Sequence, residues 1–167
     1  AIGRPWQLTT VQFDFNLPRR FGLEYVAPDG HPKTPVMVHR ALFGSIERFF
    51  GVLIEHYTGA FPVWLAPVQA VVLPISEKHA AYAREVVAEL RASDVRVQLD
   101  DRNEKLNARI RDAQLQKVPF MLVVGDREMQ AKAIAVRRRD TGDAGSKPLA
   151  EFIPWVRQLI DSRATKW

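Results

Sequence analysis

With 167 residues, 47% of them hydrophobic and 26% charged, the chain has the length and composition of a globular protein of one or two domains. No apolar run approaches the length of a transmembrane helix, and the absence of cysteine excludes disulfides and thiolate metal ligands from within the chain. The net charge of +5 is compatible with a nucleic-acid partner but does not require one. We therefore expect a globular chain without a membrane partner.

The first part of the chain reads as a few strands. Residues 6–15 are rich in β-branched and aromatic side chains, which favour a strand. Residues 23–26 and 34–40 flank a Pro-Asp-Gly turn at residues 28–30 and predict a hairpin. So few elements leave sheet edges unpaired and bury little area, so we expect residues 1–68 to be the end of a larger domain.

A helix is predicted at residues 46–59. Its apolar positions form one stripe: Ile46, Phe49, Phe50, Leu53, Ile54 and Tyr57. Arg48 lies on another face with Gly44 and Gly51, which leaves a slot where a flat ring can stack on the guanidinium. Glu47 either orients that guanidinium or sits at the helix N-terminus, where the dipole favours it. Spacing alone equally allows a surface arginine on a helix that needs glycine for close packing.

The second part alternates strands with helices. Apolar strands are predicted at residues 70–75, 95–99, 120–124 and 133–138, and helices begin near Ser76, Leu106 and Leu149. This alternation predicts right-handed crossovers and an α/β fold with a mostly parallel, mixed sheet flanked by helices. Residues 140–147 are predicted as a loop, and residues 61–67 as a rigid junction between the two parts.

Three motifs carry a resemblance to a known family. Residues 39–51 (HRALFGSIERFFG) resemble motif 3 of the class II aminoacyl-tRNA synthetases. Residues 3–15 (GRPWQLTTVQFDF) are similar to the active-site strand of the threonyl-tRNA synthetases, and residues 61–69 (FPVWLAPVQ) to their junction with the anticodon-binding domain. The resemblance implies that residues 1–68 are the C-terminal part of a catalytic domain with an antiparallel sheet and that residues 69–167 form the anticodon-binding domain.

The resemblance also implies site residues in the first part. The ATP-binding set is Arg48, Gly44, Ser45, Gln7 and Thr10, and the threonine-binding set is Gln12 and His39. Of these, Arg48, Gln7 and Gln12 are the implied catalytic residues, and Arg48 would stack on adenine. Backbone donors at Gly44 and Ser45, near the helix N-terminus, suit phosphate or ribose oxygens.

Two glutamines in an apolar, threonine-rich stretch are explained by a pocket with polar ligands, since buried amides need several partners. They can instead cap neighbouring backbone or face solvent. Gln7 and Gln12 are five residues apart, so an ideal strand would point them to opposite faces. A shared pocket therefore predicts a bulge or bend between them.

His39 is the one metal-ligand candidate. A lone histidine beside a strand is usually a core or surface residue, because zinc sites need three or four ligands. In the resembling family this histidine binds a Zn²⁺ that takes the amino and hydroxyl groups of threonine. The other two ligands, a cysteine and a histidine, belong to sequence upstream of Ala1, and His31, His56 and His79 do not replace them. We expect no tightly bound zinc in this chain by itself.

Polar clusters follow the apolar strands of the second part, where open α/β sheets bind ligands. The strand at residues 133–139 alternates alanines and arginines with larger residues, and such a flat face accepts stacked bases. The resemblance makes Asn103, Glu128 and Arg137 the base-reading candidates, in loops and on this strand. Lys117 joins them as anticodon-binding and, with Arg127 and Arg138, is expected to contact phosphate or solvent. A charged edge strand protected against aggregation is the alternative.

The sequence therefore predicts part of a threonine–tRNA ligase. Its substrates would be ATP with Mg²⁺, threonine and tRNA(Thr), its location the cytoplasm, and its full-length form a zinc-containing homodimer. Without the upstream motifs, this chain alone should be inactive. A free-standing RNA-binding module that reuses the anticodon-binding fold is the alternative. A glycyl, prolyl or histidyl relative is a third reading, which Trp6, Gln7, Gln12 and His39 together disfavour.

Overall fold

The computed structural model describes residues 3–167, so Ala1 and Ile2 of the predicted first part lie outside the described residues. The chain divides into two compact units, Ala1–His56 and Tyr57–Trp167. No helix in the described range is both long and apolar enough to cross a bilayer.

The first unit contains short antiparallel strands and two helices. Its elements are β1 (Thr10–Asp14), α1 (Asn16–Arg20), β2 (Tyr25–Val26), β3 (Pro32–Lys33), β4 (Met37–Ala41) and α2 (Ile46–Tyr57), the last of which continues one residue past the unit. Strand β1 pairs with β4, and β2 pairs with β3 in the predicted hairpin. The predicted antiparallel strands and the helix that begins at Ile46 are therefore confirmed.

The predicted strand at residues 6–15 is shorter in the structure and is followed by a helix that the sequence did not reveal. β1 begins at Thr10, and α1 follows directly after it. The carboxylate of Asp14 accepts hydrogen bonds from the backbone N–H of Asn16 (2.8 Å) and Leu17 (3.0 Å). These bonds satisfy free donors at the start of the turn and stabilise a helix that has no apolar periodicity.

The apolar stripe of α2 is only partly covered within the first unit. The helix buries none of its residues, and Ile46 and Phe50 are 74% and 52% exposed. A stripe of this kind normally faces a core. It supports the expectation that residues 1–68 belong to a larger domain.

The second unit is a five-stranded sheet between helices. Within residues 57–167 the elements are β5 (Ala70–Pro74), a 3₁₀ turn (Glu77–His79), α3 (Ala80–Ala92), β6 (Val97–Leu99), α4 (Leu106–Leu115), β7 (Phe120–Val124), α5 (Asp126–Ala131), β8 (Ala133–Arg138), β9 (Gly142–Pro148) and α6 (Leu149–Asp161). The strand order is β6-β5-β7-β8-β9. β6, β5 and β7 are parallel, whereas β8 and β9 are antiparallel to their neighbours, which confirms the mixed sheet.

The predicted loop at residues 140–147 was wrong, because most of it forms strand β9. Its sequence, GDAGSKP, is small and polar, so it carries no apolar alternation. Backbone pairing with β8 holds it in the sheet, with a register irregularity between Ala135 and Arg137. An exposed edge strand needs few apolar side chains, which is why sequence pattern failed here.

The two faces of the sheet are covered differently. On one face, α3 and α6 pack Leu90, Phe152 and Val156 against Phe120, whose ring lies 5.5 Å from that of Phe152. On the other face, α4 packs against β5 and β7 through a smaller cluster around Met121. The carboxyl ends of β5, β6 and β7 point to the same edge of the sheet.

A buried glutamine ties the junction segment to the sheet. Gln69 is fully buried; its Nε2 donates to the carbonyl oxygen of Val63 (2.9 Å), and its Oε1 accepts from the N–H of Arg96 (2.8 Å). The Arg96 guanidinium in turn donates to the carbonyl oxygens of Trp64 and Ala66. Both side chains therefore hold the segment before β5 to β6.

We expect Gln69→Met to lower the free energy of unfolding by about 1–2 kcal/mol, because it leaves the buried Val63 carbonyl and the partly buried Arg96 N–H without their partners. Urea unfolding followed by circular dichroism measures this change. Gln98→Met, at an exposed position of β6, is the matched control and should change stability little. Equal stability of the two variants would contradict the role of Gln69.

Candidate nucleotide and nucleic-acid sites

The paired strands β1 and β4 bring two predicted threonine-binding residues together. Gln12 lies directly opposite His39, and Thr10 lies opposite Ala41. Directly opposed residues on antiparallel strands share a face, so all four side chains lie on one side of the ribbon. They line a shallow cleft of about 440 Å³, with Val38 and Arg40 completing the lining.

Asp14 shares this face, and sequence reasoning missed it. His39 Nε2 lies 3.0 Å from Asp14 Oδ2. The pKa of Asp14 is lowered, first by the Leu17 N–H and then by His39. Nε2–H donating to the carboxylate leaves Nδ1 as the ring nitrogen with a lone pair, the usual arrangement of a metal-ligating histidine. The position of Asp14, two residues after Gln12 on the same strand, was the feature of the sequence that could have identified it.

The donors present fit a partial zinc site. His39 would supply one ligand, with Asp14 as its orienting carboxylate, but among residues 3–167 no group of three or more histidine, cysteine or acidic side chains suits a metal ion. Catalytic zinc uses three protein ligands. Any zinc at His39 would therefore need further ligands from other sequence.

Strand β1 itself contains no bulge, and the bend expected between Gln7 and Gln12 stays a prediction for the residues before Thr10. β1 pairs without interruption from Thr10 to Asp14, and Gln7 lies before the strand, so strand alternation does not govern it. Its Nε2 donates to Thr10 Oγ1 at 3.0 Å. Gln7 is therefore coupled to the predicted ATP-binding Thr10 through a direct hydrogen bond.

Arg48 stacks on an aromatic ring of its own unit. Its guanidinium carbon lies 5.7 Å from the centre of the Trp6 ring, and Trp6 is 46% exposed. Such a contact holds the plane of the guanidinium without using its hydrogen-bond donors. Arg48 is itself exposed, so it remains accessible to a ligand.

The turn before α2 needs glycine. Gly44 has φ +63°, and a Cβ there would lie 3.3 Å from the Leu8 carbonyl oxygen. Ser45 Oγ accepts the Arg48 N–H (3.3 Å) and donates to Glu47 (2.6 Å), which lowers the pKa of that carboxyl. Glu47 thus belongs to the helix N-terminus, and Ser45 rather than the guanidinium is its partner.

In the second unit, Asn103 lies at the edge formed by the carboxyl ends of the parallel strands. It is exposed in the loop between β6 and α4 and lines a cleft of about 440 Å³. Arg102 fixes this loop, since it donates to Asp100 from Nε and Nη2 (2.9 Å each) and to Asp112 (3.0 Å). The bonds from Arg102 are the main cause of the lowered pKa of Asp100.

The prediction that Glu128 lies in a loop was wrong. It occupies the first turn of α5, and its Oε2 accepts the N–H of Gly125 at 3.1 Å. A glutamate three residues after the N-cap commonly bonds back in this way, and that spacing was visible in the sequence. Glu128 still lies just past the carboxyl end of β7, at the same sheet edge as Asn103.

Three consecutive arginines at and just after the end of β8 have different surroundings. Arg138 pairs with Asp140 (2.9 Å) and donates to the Trp167 carbonyl oxygen, so its guanidinium is already engaged within the unit, and its contact with phosphate or solvent stays a prediction. Arg139 donates to the carbonyl oxygens of Lys117 and Ala60, and burial lowers its pKa. Arg137 forms no ion pair within the described chain, and its buried Nε has no hydrogen-bond partner there.

Arg137 lies on the thinly covered face of the sheet. It pairs with Met121 on β7, so it shares the face on which α4 packs. Ala135 and Arg137 on this face are half-buried, whereas Ile134 and Val136 on the opposite face are buried. This contrast fits the predicted shallow surface of alanine and arginine.

The four predicted anticodon-binding residues fall into two groups. Asn103 and Glu128 lie at the carboxyl edge of the parallel strands. Lys117 precedes β7 and donates from Nζ to the Thr58 carbonyl oxygen (2.6 Å), and Arg137 pairs near the same amino end of β7. Strand β7 separates the groups by about 13–17 Å. The structure therefore places the candidates along a strand rather than in one pocket.

The comparisons with known proteins identify the class. The model of the anticodon binding domain matches residues 69–159, and that of the tRNA synthetase class II core domain (G, H, P, S and T) matches residues 1–57. The chain belongs to the anticodon-binding domain family of the class II synthetases. Its matched curated relatives are threonine–tRNA ligases, which confirms the resemblance read from the sequence.

These relatives are much longer than the chain. It is 63% identical over 164 residues to the threonine–tRNA ligase of Acidobacterium capsulatum, covering 98% of the chain and 24% of the relative. It is 59% identical over 153 residues to a threonine–tRNA ligase of Thermus thermophilus, covering 92% of the chain and 23% of the relative. The chain thus spans about a quarter of the length of these relatives.

Two solved structures share the fold. The RNA binding domain of threonyl-tRNA synthetase from Cryptosporidium parvum Iowa II superposes with a TM-score of 0.85 at 38% identity, covering 95% of this chain and 40% of that one. A prolyl-tRNA synthetase from Cryptosporidium parvum, complexed with halofuginone and AMPPNP, superposes with a TM-score of 0.75 at 25% identity, covering 96% of this chain and 34% of that one.

Proposed function

We propose that this chain supplies the motif 3 end of the catalytic domain and the anticodon-binding domain of a threonine–tRNA ligase. The whole enzyme would use ATP with Mg²⁺ to activate threonine and then transfer it to tRNA(Thr). The observation that carries the proposal is Arg137, a guanidinium with no ion-pair partner among residues 3–167, on a shallow face of an anticodon-binding fold. We further propose domain bounds of 1–68 and 69–167, a cytoplasmic location and a homodimer for the full-length enzyme.

In the first unit, Arg48 would hold adenine by stacking, with Trp6 supporting the guanidinium from one side. Gln7 and Thr10, joined by their hydrogen bond, would contact the nucleotide. Backbone donors of Gly44 and Ser45 at the start of α2 would bind phosphate or ribose oxygens. These contacts orient ATP for attack by the threonine carboxylate.

Gln12 and His39 would bind threonine from the shared face of β1 and β4. His39, together with ligands from other sequence, would hold a Zn²⁺ that would supply coordination for the amino and hydroxyl groups of threonine; isosteric valine lacks the hydroxyl group. A site that requires a hydroxyl rejects the analogue without one strongly. Asp14 would hold the His39 ring so that Nδ1 faces the ion.

We expect Asp14→Asn to weaken zinc binding by the full-length enzyme by roughly tenfold, because the ring loses the carboxylate that orients it. Competition with a chromogenic chelator measures this affinity without relying on catalysis. Asp29→Asn, which changes a carboxylate paired with Lys33 in the β2–β3 turn, is the control. Unchanged zinc affinity in Asp14→Asn would remove it from the site.

Binding and activation assays together test the proposed function. Filter binding should show that the chain prefers tRNA(Thr) over the same tRNA with a swapped anticodon. ATP–pyrophosphate exchange should be absent for the chain alone and present for the full-length enzyme. A free-standing RNA-binding module would bind RNA with no anticodon preference, and that result would refute the proposal.

A further inference from the structure

A buried arginine ties together the ends of two neighbouring strands. Arg109 on α4 is 3% exposed. Its Nη1 donates to the Asp100 carbonyl oxygen and its Nη2 to the Pro74 carbonyl oxygen, both at 2.7 Å. Pro74 ends β5 and Asp100 follows β6, and these strands are adjacent in the sheet. One guanidinium thus spans the carboxyl edge where Asn103 lies.

This arrangement is costly for stability alone. Both acceptors of Arg109 are neutral carbonyl oxygens, and its buried Nε has no hydrogen-bond partner within the described residues. The nearby Asp100 carboxylate bonds to Arg102 instead. A buried cation that is incompletely paired costs free energy that an apolar side chain of similar length would not. Its planar fork, however, fixes two carbonyl groups in one geometry.

The fixed carbonyl groups determine where the loop that carries Asn103 begins. Asp100 is three residues before Asn103, and its side chain also anchors Arg102. The loop is therefore held from inside by Arg109 and from outside by Arg102, and Arg109 lines the same cleft as Asn103. A small shift of Asp100 would move the Asn103 amide relative to a base in that cleft.

We propose that Arg109 is a positioning residue for anticodon reading, which acts by holding the residue 100–105 loop so that Asn103 meets one anticodon base. The inference rests on the proposed function, because it assumes that Asn103 reads RNA. A purely structural role would not produce the following result. Replacing Arg109 should reduce discrimination at one anticodon position only, and this reduction should depend on Asn103.

The test uses the 167-residue chain with RNA hairpins that carry the tRNA(Thr) anticodon arm, either unchanged or altered at one anticodon base at a time. We expect Arg109→Met to lower discrimination about five- to tenfold at a single position, the range for a weakened base contact. Arg109→Lys, which keeps the charge but not the fork, should give an intermediate loss. Arg111→Met, at an exposed position of the same helix, should leave every ratio unchanged.

A double-mutant cycle links the effect to Asn103. Asn103→Ala should lose discrimination at the same position, and adding Arg109→Met should cause little further loss. Additive losses, or equal weakening of all hairpins by Arg109→Met, would overturn the positioning role. If the unaltered chain shows no anticodon preference at all, the proposed function fails. If the unaltered chain discriminates between hairpins and Arg109→Met discriminates equally well, only this inference fails.

Hydrogen exchange keeps the test decisive if Arg109→Met does not fold. In Arg109→Lys, the amides of residues 100–105 should exchange faster than in the unaltered chain, while those of β7 should not. Faster loop exchange together with lower discrimination supports the inference. Faster loop exchange with unchanged discrimination overturns it.

Discussion

Replacing Arg137 with alanine is expected to weaken binding of tRNA(Thr) by about 1–3 kcal/mol, the usual scale for a bidentate base contact. Threonine anticodons carry guanine in the middle position, and arginine can donate to guanine O6 and N7 together. Arg137 suits this contact because no carboxylate within residues 3–167 occupies its guanidinium, in contrast to Arg138. Most of the preference over a tRNA with another middle base should disappear as well.

A phosphate contact would behave differently. Its loss weakens cognate and altered tRNA alike and lowers the salt slope by about one. Arg127→Ala, at an exposed position of α5, is the control for which we expect that result. If Arg137→Ala weakens both RNAs equally, Arg137 is a backbone contact and base reading moves to Asn103 or Glu128.

Replacing Arg48 with alanine in the full-length enzyme is expected to weaken ATP use by about 1–3 kcal/mol, the scale for a lost charged or stacking contact. The Trp6 ring already fixes the guanidinium plane, so the loss reflects removal of a preformed platform for adenine. ATP–pyrophosphate exchange, measured over a range of ATP concentrations, reports the change.

Two further variants test whether the plane of Arg48 matters. Arg48→Lys keeps the charge but not the planar group, so it should recover little of the lost ATP affinity. Arg20→Ala, at an exposed position of α1, should leave ATP use unchanged. Exchange kinetics in Arg48→Ala that match the unaltered enzyme would reject the stacking role.

Elements with strong apolar patterns could be predicted from the sequence. β5 and β7 are almost entirely buried, so each appears as a continuous apolar run. The stripe of α2 is also visible in the sequence, although no residue of that helix is fully buried. β9 and α1 could not be predicted because backbone pairing and the Asp14 carboxylate, not side-chain periodicity, form them.

The site divides in the same way. The pairing of Gln12 with His39 depends on the β1–β4 register, which the sequence does not specify, and so does the recruitment of Asp14. The different surroundings of Arg137 and Arg138 depend on a distant Trp167 and on the turn after β8. The alternation of residues in a strand shows which face an arginine occupies, but not whether its side chain is already paired with another residue.

The alternation along β8 has a consequence for insertions and deletions. A one-residue length change inside Ala133–Arg138 would exchange the faces of Arg137 and Arg138, which turns the unpaired guanidinium toward the α6 core and breaks the Asp140 ion pair. The same change in the turn at residues 139–141 would leave that alternation intact. One-residue insertions and deletions should therefore be tolerated in this turn but not within β8.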